Sequence, residues 1–327
     1  MPDLWVDTDC GVDDAYALTL LLLSGARVDV TTVFGNVSVD QATHNARRLV
    51  ATVGGSIGSI VRGAERPILS SRGKPVALAA DVHGADGLGG WSTRLVDLGP
   101  SDAGPAEIAD TISQSLPVAT SLLSIGPLTN IACDLLTRGR VNEMSSITIM
   151  GGAEASGNVT ASAEFNFWAD PESAHIVLDR ATCPITIVPL DLTDRLLVSA
   201  QWLNSLSDAS TVGYVLAGLA GQYLRFYERV LGHPATPLHD LVAAAVAIWP
   251  DLAVVEPRRV AVDCSSGPSR GRMIVESRTV PEADDTAFRE VSLVVAVDWP
   301  VVLERFVHLV TAANADRRPT SIPTPLL

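Results

Sequence analysis

Four aspartates fall in the run Asp7-Thr8-Asp9-Cys10-Gly11-Val12-Asp13-Asp14, between the apolar Leu4-Trp5-Val6 and the apolar stretch Ala15 to Leu23. Carboxylates this close repel one another, and a helix N-terminus offers only about half a positive charge to offset them. The spacing therefore asks for a cation. A hard divalent ion held by carboxylate oxygens fits, because neither His nor Cys recurs at zinc spacing nearby. A capping role for Asp7 or Asp9 would explain one of the four and leave the rest.

Two later segments add polar groups in short loops. In the stretch from Met150 to Asn158, Gly151 and Gly152 follow an apolar run and permit a tight exit from a strand. Asn158, Glu164 and Asn166 then gather hydrogen-bonding groups suited to a ligand rich in hydroxyls, such as a sugar, although a solvated turn-rich connection has the same composition. In Leu238-His239-Asp240-Leu241 a His and an Asp stand side by side where an apolar helix begins. Asp240 is there a helix cap or a further metal ligand, and His239 a structural His or a proton donor near neutral pH. Asp170-Pro171-Glu172 is a plain helix start, with Asp170 at the N-cap, and carries no assigned chemistry.

The elements that must position these groups alternate. Strand candidates are Leu4 to Asp7, Val28 to Phe34, Ile57 to Val61, Ala119 to Ile125, Ile147 to Met150 and Ile185 to Leu190. Helix candidates are Asp14 to Leu23, Asp40 to Val53, Ala106 to Ser115, Leu128 to Leu136 and Pro171 to Leu178. The alternation predicts an α/β fold on a doubly wound, mostly parallel central sheet covered on both faces. Ligands in such sheets sit outside the carboxyl ends of the strands, so Asp7 to Asp14, Gly35-Asn36, Gly126-Pro127 and Gly151 to Asn166 are expected to converge on one crevice. Beyond residue 195 the pattern is helical to Trp249, β-rich from Leu252 to Val297, and helical again from Pro300 to Ala312. Residues 1–315 are expected to form one domain, and 316–327, with three prolines, a poorly ordered tail.

With 327 residues, 47% of them hydrophobic, the chain can bury a large core. A net charge of -14 argues against nucleic acid or an anionic membrane as main partner and leaves a small neutral substrate open. Cys10, Cys133, Cys183 and Cys264 are far apart with no CxxC, which points away from disulfides and zinc and toward a reducing compartment. No basic segment precedes the first strand, and the run Ala15 to Leu23 is about half the length of a membrane span, so a soluble cytoplasmic protein is expected.

In combination these stretches resemble the nucleoside hydrolase family, the inosine-uridine-preferring nucleoside N-ribohydrolases. The resemblance covers nearly the whole chain and is carried at five separated places: Asp7 to Asp14, Phe34-Gly35-Asn36, Gly126 to Ala132, Met150 to Asn166, and Leu238-His239-Asp240. It implies hydrolysis of the N-glycosidic bond of ribonucleosides to free base and ribose, a Ca2+ cofactor, and a homodimer or homotetramer. Asp9, Asp14 and Asp240 would ligate the calcium with the backbone carbonyl of Ile125, supported from behind by Asp7. Asp13 would hold the ribose hydroxyls, Asn36, Asn158, Glu164 and Asn166 would complete the sugar pocket, and Met150 and Phe165 would pack on the ribose. His83 matches a His near the base, His239 matches a residue that helps the base leave, and Tyr223 and Tyr227 match aromatic positions over the base. The family usually has Pro where this chain has Cys10, a change expected to have a small geometric effect. Leu231 stands where polar or aromatic side chains are usual, which leaves base preference open.

An N-glycosidic bond breaks through an oxocarbenium-like transition state that needs an activated water on one face and a stabilised leaving group on the other. Asp9 is expected to take the water's proton and His239 to assist the base. Two other classes share parts of the pattern. Metal-dependent phosphohydrolases of the haloacid dehalogenase type also open with a strand and Asp-x-Asp, but Gly11 stands where their motif continues with Thr or Val, and no clear phosphate-binding Lys context is present. A non-catalytic ribonucleoside-binding protein would have no need to keep Asp9, Asp14 and Asp240 together.

Overall fold

The structure, a computed structural model, describes residues 3–69, 78–96, 120–278 and 287–313. Strand β1 (Leu4–Thr8) is buried at every position, as a central strand covered on both faces must be. On one side it pairs with β2 (Val28–Thr32) and then β3 (Ile57–Arg62); on the other follow β4 (Ser121–Ser124), β5 (Ile147–Met150) and β6 (Ile185–Val188). All these neighbours are parallel. Among the described residues the short strands β7 (Leu197–Ser199) and β8 (Ala235–Pro237) pair only with each other. Beyond β6 the main sheet ends with β9 (Ala253–Val262), β10 (Met273–Val275) and β11 (Arg289–Val297): β11 runs parallel to β6, and β9 and β10 add antiparallel strands.

Among the described residues the sheet therefore has nine strands in the order β10-β9-β11-β6-β5-β4-β1-β2-β3, the doubly wound, mostly parallel arrangement expected. Its order reverses between β1 and β4, so the loops leaving these two strands diverge and open a crevice at their carboxyl ends. Asp7 stands opposite Thr31 on β2 and Ser124 on β4, which brings the acidic loop and Ile125 out at the same level.

Among the described residues the helices in chain order are α1 (Val12–Leu23), α2 (Val39–Val53), α3 (Ala80–His83), α4 (Thr129–Thr137), α5 (Phe165–Ala169), α6 (Pro171–Arg180), α7 (Leu190–Thr193), α8 (Ala200–Ala209), α9 (Thr211–Leu231), α10 (His239–Ile248) and α11 (Trp299–Ala312). Both α1 and α10 are apolar nearly all round and pack against each other inside the core, which suits helices enclosed on every side. Helix α2 instead buries one stripe, Val39, Ala42, Ala46, Leu49 and Val53, at the spacing of a half-exposed helix. Asp170 caps α6 as expected, accepting from Ser173 N, with Pro171 in the first turn.

Some boundaries differ from the sequence pattern. β6 stops at Val188, because Pro189 has no N–H for the ladder and instead opens the single turn α7. β2 stops at Thr32, after which the Phe34 N–H turns to the carbonyl of Ala64. The expected helix Ala106 to Ser115, Ala119 and the tail 316–327 lie outside the described residues. No helix among the described residues is long and apolar enough to cross a membrane.

Candidate active site

At the end of β1 the acidic loop is folded around its own amides. Asp14, in the first turn of α1, accepts from Gly11 N at 2.7 Å, from Cys10 N at 3.2 Å and from the Thr8 hydroxyl. Cys10 takes φ +50°, and its N–H also meets Thr8 Oγ1 at 3.0 Å. Proline can neither enter this left-handed region nor donate these bonds, so the loop as it stands here is one that Cys10 permits and Pro would not.

The neighbouring carboxylates are anchored from other strands. Asn36 donates to Asp9 through its backbone N–H at 2.7 Å and through Nδ2 at 2.9 Å, and Nδ2 also lies 3.1 Å from Asp14 Oδ2. The Asn36 loop passes so close that a Cβ at Gly35 would overlap the Asp9 carboxylate, which only glycine avoids. Asp7 lies behind, accepting from the Thr31 hydroxyl and from Asn130 Nδ2 at 2.7 Å, while its buried Oδ2 has no hydrogen-bond partner.

Among the described residues, Asp13, Asp14 and Asp240 bring carboxylate oxygens within 4.8 Å of one another, and all three are buried. Asp13 and Asp14 lie in the first turn of α1 and Asp240 in that of α10, so two helix N-termini face the same point. Two of the three carboxylates implied as ligands, Asp14 and Asp240, are in this group with Asp13; Asp9 is turned toward Asn36 beside it. Burial pushes Asp7 and Asp13 up to about 7, and burial with mutual repulsion pushes Asp9 and Asp240 well above the usual carboxylate range. Asp14 also rises through burial, opposed by its hydrogen bonds. Crowded, buried, all-oxygen donors of this kind fit a hard divalent cation, which would restore the charged forms.

These shifts carry a sign that can be tested on metal-free protein. A carboxyl whose folded pKa exceeds its unfolded value contributes stability below the unfolded value and loses it as pH rises through the folded one. His83 and His239, lowered by burial to about 3 and about 4, act in the opposite sense, but only below their ordinary 6.5. Glu164, raised by burial to about 7, joins the aspartates above that point. Chelator-treated protein is thus expected to melt at falling temperature as pH rises from 6.5 through about 7, and to go on falling as Asp9 and Asp240 ionise above it. A Tm that is flat or rising over this range in calorimetry would contradict the assignment.

A cleft opens over the carboxylate group, lined by Asp13, Asn36, His83, Ile125, Met150, Asn158, Glu164, Phe165, Asn166, Tyr223, Tyr227, His239 and Asp240. Every site residue named from sequence is here except Asp7, Asp9 and Asp14, which stand behind the surface. Glu164 caps α5: its carboxylate accepts from Gly152 N at 2.9 Å, Asn166 N at 2.8 Å and Phe167 N at 3.1 Å. Asn166 Nδ2 donates to the Met150 carbonyl at 3.1 Å, tying this loop to β5. Opposite, His83 Nδ1 accepts from Val12 N at 3.1 Å, and the Tyr223 and Tyr227 rings meet edge-on at 5.0 Å. His239 Nε2 lies 3.0 Å from the Tyr227 hydroxyl. Both histidines are neutral at pH 7, and burial keeps both phenols protonated.

The family model for inosine-uridine preferring nucleoside hydrolase matches residues 4–304. The chain belongs to this family. It is 34% identical over 276 residues to the non-specific ribonucleoside hydrolase RihC of Salmonella typhimurium, covering 83% of this chain and 86% of that protein. Its fold is similar to that of a plant nucleoside hydrolase, with a TM-score of 0.83 and 27% identity over 95% of this chain and 99% of the other. A purine-preferring ribonucleoside hydrolase from Gardnerella vaginalis is comparable, with a TM-score of 0.82 and 27% identity over 95% and 98% of the two chains. As a nucleoside hydrolase, the protein is an enzyme acting on the N-glycosyl bond of ribonucleosides.

In this nucleoside hydrolase the cleft has further walls that sequence patterns did not single out: Ala79, Val82, Val159 and Phe226. Phe226 lies three residues after Tyr223 on α9, a spacing that puts both on one face and that the sequence does display. Leu231 ends α9 and is not among the lining residues. Thr193, whose Oγ1 lies 2.7 Å from His239 Nδ1, carries no such signal, because a single helical turn has no periodicity to read, although its place just after β6 is a carboxyl-end position.

Proposed function

We propose that the protein is a calcium-dependent nucleoside hydrolase that binds ribose over Asp13, Asp14 and Asp240 and the base against Tyr223, Tyr227 and His239. The observation that carries this is one cleft with buried oxygen donors at its floor and an aromatic wall bearing an imidazole beside it. All-oxygen donors favour Ca2+ over softer metals, and the carbonyl of Ile125, at the mouth of β4, supports a fourth ligand. No Lys or Arg lines the cleft among the described residues, which disfavours phosphorylated substrates and the phosphohydrolase alternative. The family match from 4 to 304 and the continuous sheet support a single domain over residues 1–315.

When bound, the cation supplies charge neutralisation and Lewis-acid polarisation of nearby oxygens. Asp9 takes the proton of the attacking water, held in aim by the two Asn36 donors. Asp13 and Asn158 bind ribose hydroxyls, and Glu164 and Asn166 keep the opposite wall in register through the α5 cap. His239 and Tyr227, sharing a hydrogen bond, stabilise the departing base. Free ribose released from inosine, adenosine, guanosine, uridine and cytidine tests the activity, and binding without ribose release would favour the non-catalytic alternative. His239→Ala is expected to slow these nucleosides far more than p-nitrophenyl riboside, whose leaving group departs without a proton. An equal fall for both would withdraw His239 from the leaving group.

A further inference from the structure

We infer that Thr193 is a positioning residue that fixes which ring nitrogen of His239 carries the proton. Its Oγ1 lies 2.7 Å from His239 Nδ1 and 3.3 Å from the carbonyl of Leu190. Thr193 is wholly buried, so no bulk water competes for either contact. A hydroxyl has one proton to give, and a carbonyl can only accept. With that proton directed to Leu190, Oγ1 accepts from Nδ1–H and both contacts are hydrogen bonds at once. The opposite assignment leaves the Leu190 contact without a proton.

His239 is therefore the Nδ1–H tautomer. Its Nε2 lone pair faces Tyr227, whose hydroxyl donates to it across 3.0 Å. The bonds then run in one direction, from Tyr227 to His239 to Thr193 to Leu190. In this form neither ring nitrogen has a proton left for the base, so the ring serves the leaving group by holding the Tyr227 side chain in place, and Thr193, which is not among the lining residues, acts on the reaction through His239 alone.

The position of the hydroxyl is itself set by α7. The Leu190 N–H donates to the Gly152 carbonyl at 2.9 Å, and the Asp191 carboxylate accepts from Glu154 N at 2.6 Å and Ala155 N at 3.0 Å. One helical turn thus ties the loop that carries Asn158 to the orientation of His239.

The kinetic consequence rests on the leaving-group role proposed for His239; the tautomer does not, and it can be read directly. Proton–nitrogen correlation spectra of the histidine side chains in the full-length, calcium-loaded enzyme, with His239 identified by its loss in His239→Ala, should show nitrogen shifts of a neutral ring protonated at Nδ1. Thr193→Val, which keeps the shape and removes the hydroxyl, should move His239 toward the Nε2–H form, and Thr193→Ser should retain the wild-type pattern. Thr193→Val should also slow nucleosides about 10-fold or more with little change in KM, while p-nitrophenyl riboside changes by less than about 2-fold. An Nε2–H ring in the wild type, or a Thr193→Val ring identical to wild type, overturns the inference. If Thr193→Val does not fold, the wild-type and Thr193→Ser spectra still decide it. If the ring behaves as expected while His239→Ala slows both substrate types equally, the leaving-group role falls and the Thr193 assignment stands.

Discussion

Asp9→Ala is expected to lower turnover about 100- to 10,000-fold, the range typical of a lost general base. Asp9 is buried, receives two hydrogen bonds from Asn36, and has its carboxyl pushed well above the usual range by burial and by Asp14 and Asp13. A bound cation would return this carboxyl to its charged, proton-accepting form, and the Asn36 donors fix its direction. Asp9→Asn separates this from packing, since it keeps the size of the side chain and removes its basicity. Steady-state kinetics on a good nucleoside substrate make the measurement. Either variant retaining more than about a tenth of wild-type turnover removes Asp9 from the role of base.

Exhaustive chelation is expected to abolish activity, and Ca2+ to restore it. The buried carboxylates of Asp13, Asp14 and Asp240 repel one another when charged, and no Lys or Arg lines the cleft among the described residues to compensate them. The same treatment should lower Tm. A ligand at about 100 times its Kd stabilises the folded state by about 2.7 kcal/mol, so the shift should be readily seen in calorimetry. It should also be larger at pH 8 than at pH 6.5, because the metal-free carboxyls have more to lose as they ionise. Full activity in protein shown by elemental analysis to be metal-free would refute the dependence. Activity lost without any change in Tm would place the ion away from this buried group.

Much of the site is legible in the amino-acid sequence because its signals are local. Asp7, Asp9, Asp13 and Asp14 sit within eight residues, and His239 and Asp240 are adjacent, so residue type and order alone declare a cluster. Gly151 and Gly152 mark the exit from β5 by their conformational freedom. What such signals lack is direction. Glu164 has the composition of a sugar ligand, yet its carboxylate is engaged by three amides of its own loop. Cys10 reads as a mild change from Pro, and its positive φ becomes visible only with the backbone path.

The sequence by itself determined the alternation of strands and helices, the apolar burial that makes β1, α1 and α10 central, and the acidic run that needs a cation. Those properties depend on neighbours a few residues apart, where periodicity and charge spacing act directly. The tertiary structure decided which carboxylates meet, since Asp240 joins Asp13 and Asp14 only because α1 and α10 start at the same end of the sheet. It likewise decided the partners of His239: Tyr227 lies 12 residues away and Thr193 46 residues away. The order of strands around the reversal between β1 and β4 sets these meetings. Contacts closed by sheet topology leave no periodic trace along the chain, which is why the turn at Thr193 carries its meaning only once the chain is folded.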